Sequence, residues 1–153
     1  MFFKPSWPMW RYVLRMWVLS FIPTIIIGFL LSLLIPSLFA TNFRAIPDHD
    51  FTAALLAVTI GPLVETLILA LLLGLASYVI KDVHGLAIAS AIVWAMLHSL
   101  AWAPWGLLVV WSFYVMSRAF MAWFEYGLFE ALLVTTFIHM AHNFLPALFS
   151  LLG

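Results

Sequence analysis

The chain has 153 residues, 67% of them hydrophobic and only 8% charged, with a mean hydropathy of +1.18. Soluble domains carry about 25% charged residues, so this composition excludes a water-soluble globular fold and indicates an integral membrane protein. Six basic residues balance six acidic ones without a basic stripe, so we expect no nucleic-acid partner. The absence of cysteine excludes thiolate and disulfide chemistry, which leaves carboxylates, imidazoles, hydroxyls and amides.

Apolar segments near or above the roughly 20 residues that cross a bilayer core recur along the whole chain, with brief polar interruptions. They predict an all-α bundle of about five transmembrane helices that forms one domain over 1–153. In chain order, the first predicted helix lies within the apolar stretch from about Tyr12 to Ala40, and the others run from about Phe51 to Ile80, His84 to Trp102, Trp105 to Trp123, and Leu128 to the end. Pro36 should mark the end of the first helix, because proline removes a helical hydrogen bond. The polar stretch 41–50 is predicted to be a solvated loop.

Basic residues concentrate on the cytoplasmic flanks of membrane helices, and their distribution here predicts the topology. A cytoplasmic N-terminus leaves only Arg44 on the outer side. It places Lys4, Arg11, Arg15, Lys81 and Arg118 on or near the cytoplasmic side. We therefore expect an N-terminus in the cytoplasm and a protein of the plasma (inner) membrane. Arg118 is interpreted as an interfacial anchor near Glu125, and Asp82 as a helix cap.

Three ionisable residues fall inside predicted helices: Glu65, His98 and His139. Such groups cost about 2.5 to 3.5 kcal/mol each at the bilayer centre, so each is a functional candidate. At 1.5 Å per residue, these three and Asn143 lie about 16 to 22 Å from the cytoplasmic ends of their helices. The shared depth predicts one polar intramembrane site.

The last predicted helix carries several polar residues at helical spacing. Thr135, His139 and Asn143 are four apart, and Thr136, His139 and His142 are three apart, so they form one stripe. We expect this stripe to face the interior of the bundle. Taken singly, Glu65 also fits a neutral carboxylic acid bonded between helices, and His98 and His139 also fit buried core histidines.

The spacing of these residues resembles that in the CPBP intramembrane proteases, which include the type II CAAX prenyl endopeptidases and the bacteriocin-processing Abi proteins. That family has Glu-Glu-x-x-x-Arg on one helix, aromatic-x-x-x-His on the next and His-x-x-x-Asn or Asp on the last. The corresponding residues here are Glu65, Trp94 with His98, and His139 with Asn143, within about 51–144. The first motif departs from the pattern, because Thr66 replaces the second glutamate and Ala70 the arginine.

The resemblance implies hydrolysis of a peptide bond in a membrane-tethered substrate. Glu65 and His98 would activate a water molecule, while His139 and Asn143 would donate hydrogen bonds to the oxyanion. No cofactor is certain. Zinc or another divalent metal held by Glu65, His98 and His139 is an open alternative, with His142 as an optional third imidazole.

Two other functions fit the same residues. An inactive scaffold of the same fold would bind a partner, with Thr66 and Ala70 as the trace of lost catalysis. A small proton-coupled transporter would use Glu65, His98 and His139 as a relay. Expected partners are membrane lipids, a membrane-tethered peptide or protein, and a partner membrane subunit or a second copy of the chain.

Overall fold

The computed structural model describes residues 2–39 and 46–152, and within these ranges it is all-helical, without a strand. The α-helices are α1 (Met9–Leu34), α2 (Phe51–Val58), α3 (Ile60–Ala76), α4 (Val83–Ser99), α5 (Trp105–Phe124) and α6 (Leu128–Leu152). A short 3-10 helix, Pro36–Phe39, follows α1. The predicted all-α class is confirmed.

Four helical segments are long and apolar enough to cross a membrane: α1, α2 and α3 taken together, α5, and α6. The remaining helix, α4, is apolar but has 17 residues, a length of about 25 Å. Large apolar side chains such as Leu33, Leu71 and Phe149 project outward, as lipid contact requires. The chain is an integral membrane protein.

The helices α4 and α5 form a tight antiparallel hairpin. Near its middle, the buried Ser117 hydroxyl donates to the Ser90 hydroxyl at 3.0 Å. Trp94 stacks on Phe113 with ring centroids 4.5 Å apart. At the turn, a Cβ on Gly106 would overlap the Ala95 carbonyl, so the absence of a side chain permits the close approach.

The helix α5 is central and packs against α1, α4 and α6. Its fully buried residues include Val115, Met116 and Trp123, which pack with Met16 of α1 and Ile138 of α6 in one core cluster. The helix α6 also contacts α2 and α3. This arrangement brings α3 and α6 side by side at the level of the predicted site.

Some predicted helix boundaries are wrong, and a proline explains one of the differences. The first helix ends at Leu34, close to the predicted end at Pro36, which begins the 3-10 helix. The second is interrupted at Thr59 and ends at Ala76 instead of Ile80. Pro62 has no N–H for the Val58 carbonyl four residues earlier, and its ring clashes there, so α2 ends at that residue.

The connections between helices are only partly as expected. The predicted third helix ends at Ser99, not Trp102, in a tightened last turn in which Ala101 N–H donates to the His98 carbonyl at 3.1 Å. The Asp82 carboxylate caps α4 by accepting from Gly85 N–H at 2.6 Å, as predicted. Of the polar stretch 41–50, residues 41–45, including Arg44, lie outside the described residues.

Candidate functional site

A carboxylate and an imidazole meet between α3 and α6. Glu65 Oε2 lies 3.6 Å from His139 Nε2, with 31% of the Glu65 side chain and 6% of the His139 side chain exposed. The distance is longer than a hydrogen bond, and Oε2 is buried without a hydrogen-bond partner. The two groups therefore form an adjacent acid and base pair in apolar surroundings.

His98 lies in the last turn of α4, and its own helix orients its ring. Nδ1 is 2.9 Å from the Trp94 carbonyl oxygen. Because a carbonyl only accepts, Nδ1 carries the hydrogen, and Nε2 of the neutral ring is an acceptor. The ring also meets Trp105 edge-on, with centroids 4.7 Å apart. The aromatic-x-x-x-His spacing thus places the histidine on the carbonyl of the aromatic residue.

Phe113 of α5 joins the histidines of α4 and α6. Its ring centroid lies 5.2 Å from that of His98 and 5.6 Å from that of His139. Glu65 and His98 form no ion pair in the part of the chain that the structure describes. Of the two histidines expected in the shared site, His139 is therefore the one that lies directly beside Glu65.

Asn143 lies one turn beyond His139 on α6 and forms a hydrogen bond with α2. Its Nδ2 donates to the Ala57 carbonyl at 2.9 Å, in the last turn of α2. This bond holds α6 against α2 beside the break at Thr59. A carboxamide has two N–H donors, so the second is left for another acceptor.

His142 is directed away from the Glu65 pair. Its Nδ1 lies 3.2 Å from the buried Ser20 hydroxyl of α1, and its ring meets Phe21 edge-on at 5.3 Å. It connects α6 to α1. The single polar stripe predicted on α6 therefore serves three interfaces: Asn143 faces α2, His139 faces α3, and His142 faces α1.

Two buried threonines flank the pair. Thr66 follows Glu65 on α3, and Thr135 precedes His139 by one turn on α6; both are almost fully buried. Neither hydroxyl has a hydrogen-bond partner. Buried hydroxyls are usually bonded, so these two add unused hydrogen-bonding capacity on the two helices that carry the pair.

The residues considered for a metal ion are not gathered into a ligand set. Within residues 2–39 and 46–152, no three His, Asp or Glu side chains are grouped closely enough to hold a metal. Glu65 and His139 are adjacent, but His98 is linked to them through the Phe113 ring. The described donors therefore do not fit a zinc site.

Two residues that contact the histidines of α4 and α6 were not predicted, namely Phe113 and Ser20. Phe113 is one of 14 phenylalanines and carries no distinguishing pattern, so no sequence signal separates it from packing residues. Ser20 is an isolated hydroxyl on an apolar helix, and an interhelical partner could have been sought for it. The chain matches no family model, no curated protein and no solved structure.

Proposed function

We propose that this protein is a glutamate-dependent intramembrane endopeptidase, similar to the CPBP proteases, that cleaves a membrane-tethered peptide or protein. The observation that carries the proposal is the Glu65 carboxylate 3.6 Å from His139 Nε2, inside an apolar bundle. Such a pair is costly at membrane depth and is suited to proton transfer. The order of the three motifs supports the same reaction.

In the proposed reaction, water adds to the scissile carbonyl carbon while Glu65 accepts its proton. The carbonyl oxygen becomes an oxyanion, to which His139 and the second N–H of Asn143 donate. Glu65 then returns the proton to the leaving nitrogen as the C–N bond breaks. The acceptor Nε2 of His98 helps to orient the water. Because water itself is the nucleophile, no covalent enzyme intermediate is required.

The proposal includes a location. The N-terminus lies in the cytoplasm, and the protein resides in the plasma (inner) membrane. Lys4, Arg11 and Arg15 near the first helix start, and Lys81 between α3 and α4, support this orientation through the preference of basic residues for cytoplasmic flanks. A second copy or a partner membrane subunit would enlarge the small space inside the bundle.

The test is peptide cleavage by the purified protein in liposomes against a panel of membrane-tethered peptides. Glu65→Gln keeps the shape of the side chain but removes the base, so we expect turnover to fall about 10²- to 10⁴-fold. His139→Ala should cause a loss of similar size. His142→Gln is the matched control, because His142 contacts Ser20 and not Glu65. A chelator arm reports metal dependence separately.

A second candidate is an inactive scaffold that binds a partner. Two observations favour it. Asn143 already uses one of its N–H donors on the Ala57 carbonyl, and the buried Thr66 stands where the CPBP motif has its second glutamate. On this hypothesis Glu65→Gln has no phenotype. Absence of cleavage by the wild type, together with partner binding by a folded Glu65→Gln variant, would replace the protease proposal with this one.

A further inference from the structure

A polar cavity of about 600 Å³ lies at the end of the bundle formed by the N-terminal segment, the start of α4 and the end of α5. Its lining includes the charged residues Lys4, Arg118 and Glu125, together with His84 and the ring of Phe3. Four other grooves on the described surface have no charged lining. This cavity is remote from Glu65 and plays no part in the proposed hydrolysis.

Arg118 lines this cavity with a partly buried guanidinium. Its guanidinium lies over the Phe3 ring, 5.1 Å from the centroid. Nε and Nη1 are buried and have no hydrogen-bond partner. Among the described residues, no carboxylate forms an ion pair with Arg118. A cation with unused N–H donors in a partly buried site favours an anionic ligand.

The wall that carries Lys4 is held in place. The Tyr12 hydroxyl donates to the Phe3 carbonyl at 3.2 Å, and Arg15 donates to the Lys4 carbonyl at 2.9 Å. The Phe3 ring also meets Tyr114 edge-on at 6.1 Å. The backbone of residues 3 and 4 is therefore held against α1, the Phe3 ring packs on α5, and Lys4 lines the cavity.

The cavity lies at the level where aromatic residues mark a membrane interface. The exposed rings of Trp7 and Tyr126 lie here, and both contact the buried Trp123, at centroid distances of 5.4 and 5.5 Å. Tryptophan and tyrosine prefer the headgroup region, so phosphate groups of lipids are available at this depth. The start of α4 and the end of α5 both lie here.

We propose that this cavity binds a phosphate group, with Arg118 and Lys4 as its cationic partners. Arginine suits phosphate because its planar fork can donate two parallel hydrogen bonds. Glu125 shares the cavity and would accept from an ammonium, so headgroups carrying both phosphate and a primary amine fit best. The phosphate comes from either a phospholipid headgroup or a soluble phosphate.

The experiment is a binding titration by native mass spectrometry on the full chain in a neutral, phosphate-free detergent. The probes are short-chain phosphatidylethanolamine, phosphatidylglycerol, diacylglycerol and inorganic phosphate. We expect both phospholipids to bind and diacylglycerol not to bind. Arg118→Gln should weaken phospholipid binding at least tenfold, and Arg118→Lys should weaken it less. Lys81→Gln is the control, because Lys81 binds the Ser77 carbonyl and does not line the cavity.

Competition between inorganic phosphate and the phospholipid distinguishes the two sources of the phosphate. Displacement of the phospholipid by inorganic phosphate would assign a soluble phosphate, and no displacement would assign a lipid headgroup. Glu125→Gln should reduce the preference for phosphatidylethanolamine over phosphatidylglycerol. Lys4→Gln changes an exposed side chain and keeps the test valid if Arg118→Gln does not fold. Unchanged phospholipid affinity in Lys4→Gln and in any folded Arg118 variant, or equal binding of diacylglycerol, would overturn the proposal.

Discussion

A single hydrogen bond compensates for the proline inside the first membrane helix. Pro23 in α1 has no N–H for the Leu19 carbonyl, four residues earlier. The Trp111 indole of α5 donates to that same carbonyl at 2.8 Å. Because no water is available at this depth, a freed carbonyl needs such a partner. The pairing also joins α1 to α5.

We therefore expect Trp111→Phe to lower the free energy of unfolding by about 1 to 2 kcal/mol, since it leaves the Leu19 carbonyl without this donor. In a Pro23→Ala background the residue 23 N–H can bind Leu19, so the same change should cost less. Reversible unfolding in mixed micelles measures both. Trp17→Phe is the control, because the Trp17 indole N–H has no partner to lose. Equal costs of Trp111→Phe in the two backgrounds would contradict this account.

The α4 and α5 hairpin depends on a close approach of its helices beside His98. A Cβ at Gly106 would overlap the Ala95 carbonyl and the Ser99 hydroxyl, whereas a Cβ at Gly74 in α3 meets nothing within 4 Å. Overpacking of this kind costs about 1 to 3 kcal/mol. An alanine in an open helical position instead stabilises a helix by up to about 1 kcal/mol relative to glycine.

Gly106→Ala should accordingly destabilise the protein by about 1 to 3 kcal/mol and disturb His98, whose ring packs on the adjacent Trp105. Gly74→Ala should be neutral or stabilising. Thermal unfolding in detergent distinguishes the two variants, and peptide cleavage reports the effect on His98. A Gly106→Ala protein as stable as Gly74→Ala would show that the hairpin is looser than this packing requires.

At the scale of the whole molecule, α4 determines whether the chain crosses the membrane four or five times. It is shorter than the other spans, but it packs against α5, with Ser90 bonded to Ser117 and Trp94 stacked on Phe113. A helix slightly shorter than the bilayer core is accommodated by local thinning at modest cost. We expect α4 to cross, which places the two chain ends on opposite sides.

Because the chain has no cysteine, single-cysteine variants can test this topology directly. Val79 and Leu100 flank α4, and each is 85% exposed. An impermeant maleimide should label Val79→Cys and Leu100→Cys from opposite sides of sealed vesicles. Labelling of Val79→Cys from the cytoplasmic face would also establish the proposed orientation. Labelling of both residues from one side would mean that α4 does not cross and that the chain has four spans.

Composition and local pattern were sufficient to predict the all-helical membrane class, the approximate helix positions and the Asp82 cap, because these depend on residues close together in the chain. The same information placed Glu65, His98 and His139 inside helices. The break at Thr59 was not predicted, although Pro62 was a visible signal for it.

The partners of the polar residues depend on how each helix is rotated about its axis and how far it is shifted against its neighbours. In an apolar chain many rotations bury similar area, so hydrophobicity does not select among them. Packing around α5 places Glu65 against His139, separates His98 from the pair by Phe113, and directs His142 to Ser20. The assignment of these contacts therefore required the folded structure, because it arises from interfaces between residues far apart in the chain.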